Sequence, residues 1–334
     1  MTISPSISIT NNQQSMQVKT KNTENLLIPQ SLQPGDLLRV VAPSGALREL
    51  EAFQNGVNIW RSRGYRVEVI PEIEDRWGYL AGRDENRRNH LAAAWQDPEC
   101  RGILCARGGF GTTRILEEWT WMLQNQENPN VPSPIPHTQS PKWLIGFSDI
   151  TALLWSLYKT GICGVHAPVM TTLAGEPAWS IQRLFDIVEG KSLEPLKGKG
   201  WGGGIVSGRL LPANLTVATH LLGTPMQPEL DGAILAIEDV GEAPYRIDRM
   251  LTQWRMSGAL GKIAGVAIGS FTKCEPPENI PSFSVDEVLR DRLSDLNIPI
   301  VSDLPFGHQA PNAALPVGFT ATLNADEGVL TVSS

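Results

Sequence analysis

A chain of 334 residues with 41% hydrophobic and 19% charged residues has ordinary globular composition, with room for one large or two medium domains. Its net charge of −7, with acids and bases interspersed, lacks the basic footprint of a nucleic-acid binder and favours a small-molecule or peptide partner. No apolar run approaches the ~20 residues of a membrane span and no N-terminal apolar segment reads as a secretory signal, so the expected compartment is the cytoplasm.

Residues 1–30 are rich in Ser, Thr, Asn and Gln without periodicity and read as a disordered tail. Leu37 to Val41 reads as a strand ending in Ala-Pro-Ser-Gly, followed by a helix with Leu50, Phe53, Val57 and Trp60 on one face and a stop at Gly64. A strand at 65–70, a helix at 84–96 and a buried strand at 102–106 come next, the last ending in R-G-G-F-G before a short helix. Residues 143–146 form a further strand, leading into a helix that carries Ile150, Leu153, Leu154, Leu157 and Tyr158. Gly164 to His166 is the next strand. Repeated β-α-β units imply a doubly wound parallel sheet over 31–180.

Residues 123–142 hold five prolines and no repeating apolar face, so they read as a surface insertion or flap. Residues 181–204, ending K-G-W-G-G-G, read as the connection between domains. From 205 to 334 the pattern shifts to short strands at 233–237, 263–268, 298–301 and a terminal hairpin over 320–332, with helices at 245–257 and 285–296. This second, smaller domain is expected to be β-rich, α+β and partly barrel-like. The four cysteines, Cys100, Cys105, Cys163 and Cys274, lie far apart with no C-x-x-C; Cys105 and Cys163 fall inside apolar runs and read as core residues.

Ligands of an open doubly wound sheet bind beyond the carboxyl ends of its strands. Ser44, Arg107 with Gly108 and Gly109, Ser148 with Asp149, and His166 all fall on that rim. In G-F-S-D-I, Ser148 sits at a strand-to-helix turn, where it is either a nucleophile with the Asp149 amide as oxyanion donor or an ordinary helix cap. The G-x-S-x-G signature is incomplete, since position 150 is Ile. The loop C-A-R-G-G-F-G-T-T-R (105–114) supports three readings: a phosphate loop, a tight turn, or a second oxyanion donor at Gly109 with Arg107 as a carboxylate clamp.

An activated serine needs a base. Of His90, His137, His166, His220 and His308, only His308 follows a strand in an otherwise unassigned loop, P-F-G-H-Q-A-P. Glu238, ending the apolar run A-I-L-A-I, is placed to orient an imidazole, with Asp239 and Glu242 as competitors that spacing does not exclude. There is no H-E-x-x-H, Cys/His cluster or EF-hand loop, so neither metal nor cofactor is expected.

Taken in order, V-A-P-S-G (41–45), A-R-G-G-F-G (106–111), G-F-S-D-I-T (146–151), H-A-P-V-M (166–170), L-L-G-T-P (221–225), I-E-D-V-G-E-A-P-Y-R-I-D-R-M-L (237–251) and F-G-H (306–308) resemble the L,D-carboxypeptidases of murein recycling, serine peptidase family S66. That family also includes the microcin C7 self-immunity peptidases. The resemblance spans residues 34–334 and implies a flavodoxin-like N-terminal domain, a β-rich C-terminal domain and usually a homodimer. It implies release of a terminal D-alanine from a muropeptide, with Ser148 as nucleophile, Glu238 as charge-relay acid, His308 as base, and the Asp149 and Gly109 amides as oxyanion hole. Arg107, with Arg246 as its rival, is the expected grip on the substrate carboxylate. Pro212-Ala213-Asn214-Leu215 stands where the family often has G-G-N-L. Cleavage of peptidyl-nucleotide amides, or a non-enzymatic nucleotide- or sugar-binding module, are the competing expectations.

Overall fold

The computed structural model describes residues 26–121, 141–276 and 278–333. Strands β1 (Leu37–Val41), β2 (Arg66–Val69), β3 (Cys100–Cys105), β4 (Trp143–Gly146) and β5 (Gly164–His166) pair in parallel in the spatial order β2-β1-β3-β4-β5. This is the flavodoxin-like order, and its direction of winding reverses between β1 and β3.

Helices α1 (Leu50–Ser62), α2 (Asp84–Gln96), α3 (Thr112–Leu116), α4 (Thr151–Lys159), α5 (Met170–Leu173) and α6 (Ala178–Val188) cover the two faces. In α1 the buried positions are Phe53, Gly56, Val57 and Trp60, the spacing of a single helical face. A Cβ added at Gly56 would stand 2.1 Å from the Met170 carbonyl oxygen, so α1 and α5 meet backbone to backbone there.

The remainder comprises β6 (Leu196–Lys197), β7 (Lys199–Trp201), β8 (Ile205–Asn214), α7 (Leu215–Leu221), β9 (Ile234–Val240), α8 (Pro244–Met256), β10 (Gly265–Thr272), α9 (Val285–Leu293), β11 (Ile300–Ser302), β12 (Leu315–Val317), β13 (Thr320–Asn324) and β14 (Val329–Val332). All but β12 of these strands build an eight-stranded sheet in the order β6-β14-β13-β8-β9-β10-β11-β7, nearly closed into a barrel. The expected two-part architecture is therefore present. Local chemistry sets its helix ends: Pro244 opens α8, and Ser284 with Glu287 forms a reciprocal capping box on α9.

Three stretches depart from the sequence expectation. Residues 26–30, expected in the tail, are fastened to the first sheet: the Leu27 N–H donates to Gly161 O at 2.7 Å, and the Trp143 indole donates to Gln30 O at 3.0 Å. Residues 1–25 lie outside the described residues, as does the expected insertion apart from 121 before it and 141–142 at its end. Residues 181–188, expected to open the linker, are the body of α6, with Phe185 packed on Trp60 and Tyr65 and with Leu184 and Val188 buried in the same core; further along the same stretch lie strands β6 and β7. The C-terminal part also returns to the first sheet, where β12 pairs antiparallel with β5. That return stitches the two sheets together.

One continuous core runs between the sheets. It joins Leu153 and Leu154 of α4 to Leu211, Ile237, Leu251 and Trp254 of the second part, all essentially without exposed surface. Trp155 adds a buried indole donating to Pro212 O at 3.0 Å. Each fully buried side chain of this size contributes about 1.5–3 kcal/mol relative to exposure, which holds α4 against the second part.

Candidate active site

The β4 strand runs WLIG into Phe147, which is extended, and the chain then turns sharply: Ser148 has φ +63°. A non-glycine residue in the left-handed region costs about 1–2 kcal/mol, so something holds it there. Asp149 supplies the hold. Its Oδ2 accepts from the Ser44 hydroxyl at 2.6 Å and the Thr112 amide at 2.9 Å, and its carbonyl accepts from the Thr112 hydroxyl at 2.6 Å. The turn after β4 is thereby tied to the ends of β1 and β3. Burial pushes the Asp149 carboxyl upward, and the Ser44 and Thr112 hydrogen bonds oppose that shift. Neither Ser148 nor Asp149 acts as a side-chain cap: the short 3-10 turn Ser148–Ile150 and α4 carry no side-chain cap bond.

The Ser148 hydroxyl instead faces His308, whose Nε2 lies 3.0 Å from Oγ. His308 Nδ1 lies 2.5 Å from Glu238 Oε2. Glu238 sits on β9 opposite Asn214 of β8 and is fully buried. Burial pushes its carboxyl upward, and the hydrogen bond with His308 partly offsets this. Residues 148, 238 and 308, far apart in the chain, thus form one continuous hydroxyl–imidazole–carboxylate series.

The loop carrying His308 is held by its own anchors. The Gly307 amide donates to Asn312 Oδ1 at 3.0 Å, the Asn312 amide donates to Glu176 Oε2 at 2.7 Å, and Ser180 donates to Asn312 O at 2.9 Å. Gly307 has φ +125°, and a Cβ there would stand 2.3 Å from Ser270 Oγ and 3.1 Å from the Glu238 Cβ. The Phe147 ring leans on the His308 ring with centroids 4.7 Å apart and meets His166 edge-on at 5.8 Å. His166 is completely buried, and among the described residues neither of its ring nitrogens has a hydrogen-bond partner; burial, with His308 nearby, lowers its pKa to about 3 and keeps it neutral.

The competing acids separate by partner. Asp239 accepts from the Thr216 amide at 2.9 Å and hydroxyl at 2.8 Å and from Asn214 Nδ2 at 2.9 Å, so it anchors the start of α7. Glu242 accepts from Arg246 at 3.4 Å. Asn214 does two jobs that the sequence alone did not reveal. Its Oδ1 caps α7 by accepting from the Val217 amide, while Nδ2 reaches Glu238 Oε1 at 3.3 Å. The available signal was an asparagine between an apolar strand and a helix.

Two cavities flank Ser148 and share it, Gly109 and Val240 as lining. The smaller, of about 400 Å³, is lined by Arg107, Thr171, Thr172 and His308. The larger, of about 590 Å³, is lined by Phe110, Asn214, Thr216, His220 and Glu242. Arg107 is ion-paired with Glu49 at 3.3 Å, on the rim of the smaller cavity. Arg246 is not beside it; that side chain lines a further cavity, past Glu242. Gly108 leaves room for the serine, because a Cβ there would stand 3.0 Å from Ser148 Cβ and 3.1 Å from Oγ. Gly109 has φ +119°. Among the described residues no group of three His, Cys, Asp or Glu side chains gathers as metal ligands would.

Two family models match the chain, an LD-carboxypeptidase N-terminal domain over residues 38–167 and an LD-carboxypeptidase C-terminal domain over 207–323. A Synechocystis sp. protein bearing a carboxypeptidase name is 54% identical over 307 residues, covering 92% of this chain and 97% of that one. The murein tetrapeptide carboxypeptidase of Pseudomonas aeruginosa is 30% identical over 315 residues, covering 89% and 96%. Among solved structures, muramoyltetrapeptide carboxypeptidase from Oxalobacter formigenes superposes with a TM-score of 0.75 at 27% identity, covering 89% of this chain and 97% of that one. MccF in complex with glutamyl sulfamoyl guanosine shares the fold, with a TM-score of 0.78 at 19% identity over 92% and 98% of the two chains.

Proposed function

Because the chain belongs to the LD-carboxypeptidase family of S66 serine peptidases, we propose that it releases the terminal D-alanine of a murein tetrapeptide through Ser148, His308 and Glu238. The observation that carries this reading is the pair of contacts at His308, 3.0 Å to the serine oxygen and 2.5 Å to the glutamate. The serine Oγ attacks the scissile carbonyl carbon while His308 Nε2 takes its proton. Glu238, accepting from Nδ1, fixes the ring tautomer and stabilises the imidazolium. The Asp149 and Gly109 amides are the proposed donors to the oxyanion, on either side of the serine. Collapse of the tetrahedral intermediate breaks the C–N bond, and His308 returns the proton to the leaving amine. Water, deprotonated by the same ring, then opens the acyl-enzyme to a free carboxylate.

The cavities give this reaction a direction. The leaving amine must meet His308, which lines the smaller cavity and not the larger. The smaller one therefore suits the departing D-alanine, and Arg107 stands there to meet its carboxylate in competition with Glu49. A guanidinium at that wall favours a free C-terminus, which is what an exopeptidase requires. The larger cavity suits the acyl portion of the peptide. The four cysteines are unpaired and buried, which fits a role in the cytoplasm, where recycled muropeptides are trimmed; a homodimer is the proposed assembly.

The deciding experiment is D-alanine release from the tetrapeptide by the wild type and by Ser148→Ala, with a peptidyl sulfamoyl-adenylate assayed in parallel. Release by the wild type alone supports the reading. Equal release by both proteins, or cleavage of the nucleotide amide only, rejects it.

A further inference from the structure

The R-G-G-F-G loop after β3 has glycine at three of its five positions, and Gly109 and Gly111 stand at φ +119° and +139°. Backbone of this kind is permissive, whereas a donor to an oxyanion helps only if it is already in place when the charge forms. Such a loop has to be held from outside itself. Asp149 bridges it to the Ala-Pro-Ser-Gly turn after β1, through the Thr112 amide and the Ser44 hydroxyl.

Arg87 of α2 makes a second bridge between the same two segments. Its Nη1 donates to the carbonyl oxygen of Pro43 and to that of Gly111, the latter at 2.9 Å, while Nη2 donates to Asp84. The side chain has no exposed surface. A Cβ added at Gly111 would stand 2.6 Å from Nη1, so the loop backbone closes directly on the guanidinium. Asp84 also accepts from Arg114 Nε at 3.0 and 3.1 Å, which ties in α3 just past the loop. Burial lowers the Arg87 pKa, and the hydrogen bond and charge of Asp84 oppose that shift, so the fork stays charged. A charge without exposed surface is a costly way to join two carbonyls, and packing alone would be served better by an apolar side chain. Arg87 lines neither cavity beside Ser148.

We propose that Arg87 is a positioning residue for the oxyanion hole. By fixing Pro43 and Gly111 it holds the Gly109 amide, two residues before Gly111, towards the negative charge that develops on the scissile carbonyl. Arg87 touches neither the serine nor the peptide and acts only through the loop. The proposal rests on the carboxypeptidase reading, with Gly109 as donor, and deepens it by naming what keeps that donor in place.

The test measures D-alanine release from the tetrapeptide by the full chain, together with binding of two ligands. One is the tripeptide product; the other is the corresponding tripeptide boronic acid, whose boron becomes tetrahedral on the serine oxygen. In Arg87→Met, kcat per folded enzyme is expected to fall by about 10–10²-fold, less than the ~10²–10³ that outright loss of a donor costs. Boronate affinity should fall by a comparable factor, with KM and product affinity held within about threefold. Arg87→Lys keeps the charge without the planar fork and should show most of the same loss. An arginine that served folding alone would reduce the amount of folded protein and leave these ratios where they were. Unchanged kcat per folded enzyme, or boronate and product affinities that fall together, overturns the proposal. Should neither variant fold, Asp84→Asn loosens the guanidinium without removing it; a selective loss of boronate affinity there supports the proposal and no loss overturns it. A wild type that releases no D-alanine rejects the carboxypeptidase reading instead. Arg87 is then judged by the rate at which a fluorophosphonate labels Ser148, which Arg87→Lys should slow by about tenfold and which, if equal, overturns the assignment.

Discussion

Glu238 has no exposed surface, yet its Oε2 lies 2.5 Å from Nδ1 of His308, a side chain 70 positions further along the chain. Burial of this carboxylate costs stability, as the upward push on its pKa records. A buried carboxyl stands where an apolar neighbour would pack at lower cost, and that is intelligible if it holds the imidazole tautomer. Glu238→Gln keeps the shape and removes the charge. It is expected to cut kcat by about 10²–10⁴-fold with the melting temperature unchanged or raised. Steady-state kinetics beside a thermal melt checks this, and a loss of folding that matches the loss of turnover would assign Glu238 to architecture.

The strained turn at Ser148 separates two variants that the proposed role of the serine makes inactive. With φ +63°, alanine at 148 bears the left-handed penalty and glycine escapes most of it. Ser148→Gly is expected to melt higher than Ser148→Ala, by the equivalent of roughly 0.5–1 kcal/mol after glycine's larger unfolded-state entropy is counted. Both should release no D-alanine. A glycine variant less stable than the alanine variant would show that the turn is relaxed in solution.

Much of this site was legible because chemistry in a doubly wound sheet collects at strand ends. Ser44, Ser148 and His166 each follow or end a short apolar strand, and such strands announce themselves locally. The partnerships were not legible. Ser44 and Asp149 are 105 positions apart, and Asn214 with Glu238 are neighbours only because β8 and β9 pair in parallel. The same division holds for the fold. Helix α2 was readable to the residue, whereas α6 was absorbed into an expected linker by the glycine-rich K-G-K-G-W-G-G-G that follows it. Strands β6 and β7, two and three residues long, exist because β14 and β11 pair with them. No local pattern encodes that.

Gly108 offers a steric test of where the Ser148 hydroxyl stands. A methyl group there would stand 3.0 Å from Ser148 Cβ and 3.1 Å from Oγ, closer than side-chain carbons ordinarily approach. Gly108→Ala is expected to push the hydroxyl a few tenths of an ångström off its line to His308 and lower kcat by about tenfold, less than the ~10²-fold that a 1 Å misplacement costs. Its effect on KM should be smaller, because the added methyl group would stand against the Ser148 side chain itself. An unchanged kcat would mean that Oγ does not need its place 3.0 Å from the ring.

Acid sensitivity should be concentrated where α1 meets α6. Arg63, just past α1, donates through Nε and Nη2 to the two carboxylate oxygens of Glu189, just past α6, at 2.8 and 2.9 Å. The Arg63 guanidinium is the first cause that lowers the Glu189 pKa, from 4.5 to about 2, with Lys191 and Tyr65 adding hydrogen bonds. A carboxyl depressed on folding contributes its stability in full above its unfolded value and loses it as pH falls through the folded one. The window is therefore about pH 4.5 down to about 2. Arg63→Met should cost about 1–2 kcal/mol at neutral pH, a figure discounted because the arginine side chain keeps 32% of its surface exposed. Near pH 2 the gap should shrink to the smaller, pH-independent loss of the guanidinium stacked 4.7 Å over Phe185. Melting temperatures of wild type and variant, followed from neutral pH to pH 2, are expected to converge. Parallel curves across that range would mean that the helix ends are held by packing alone.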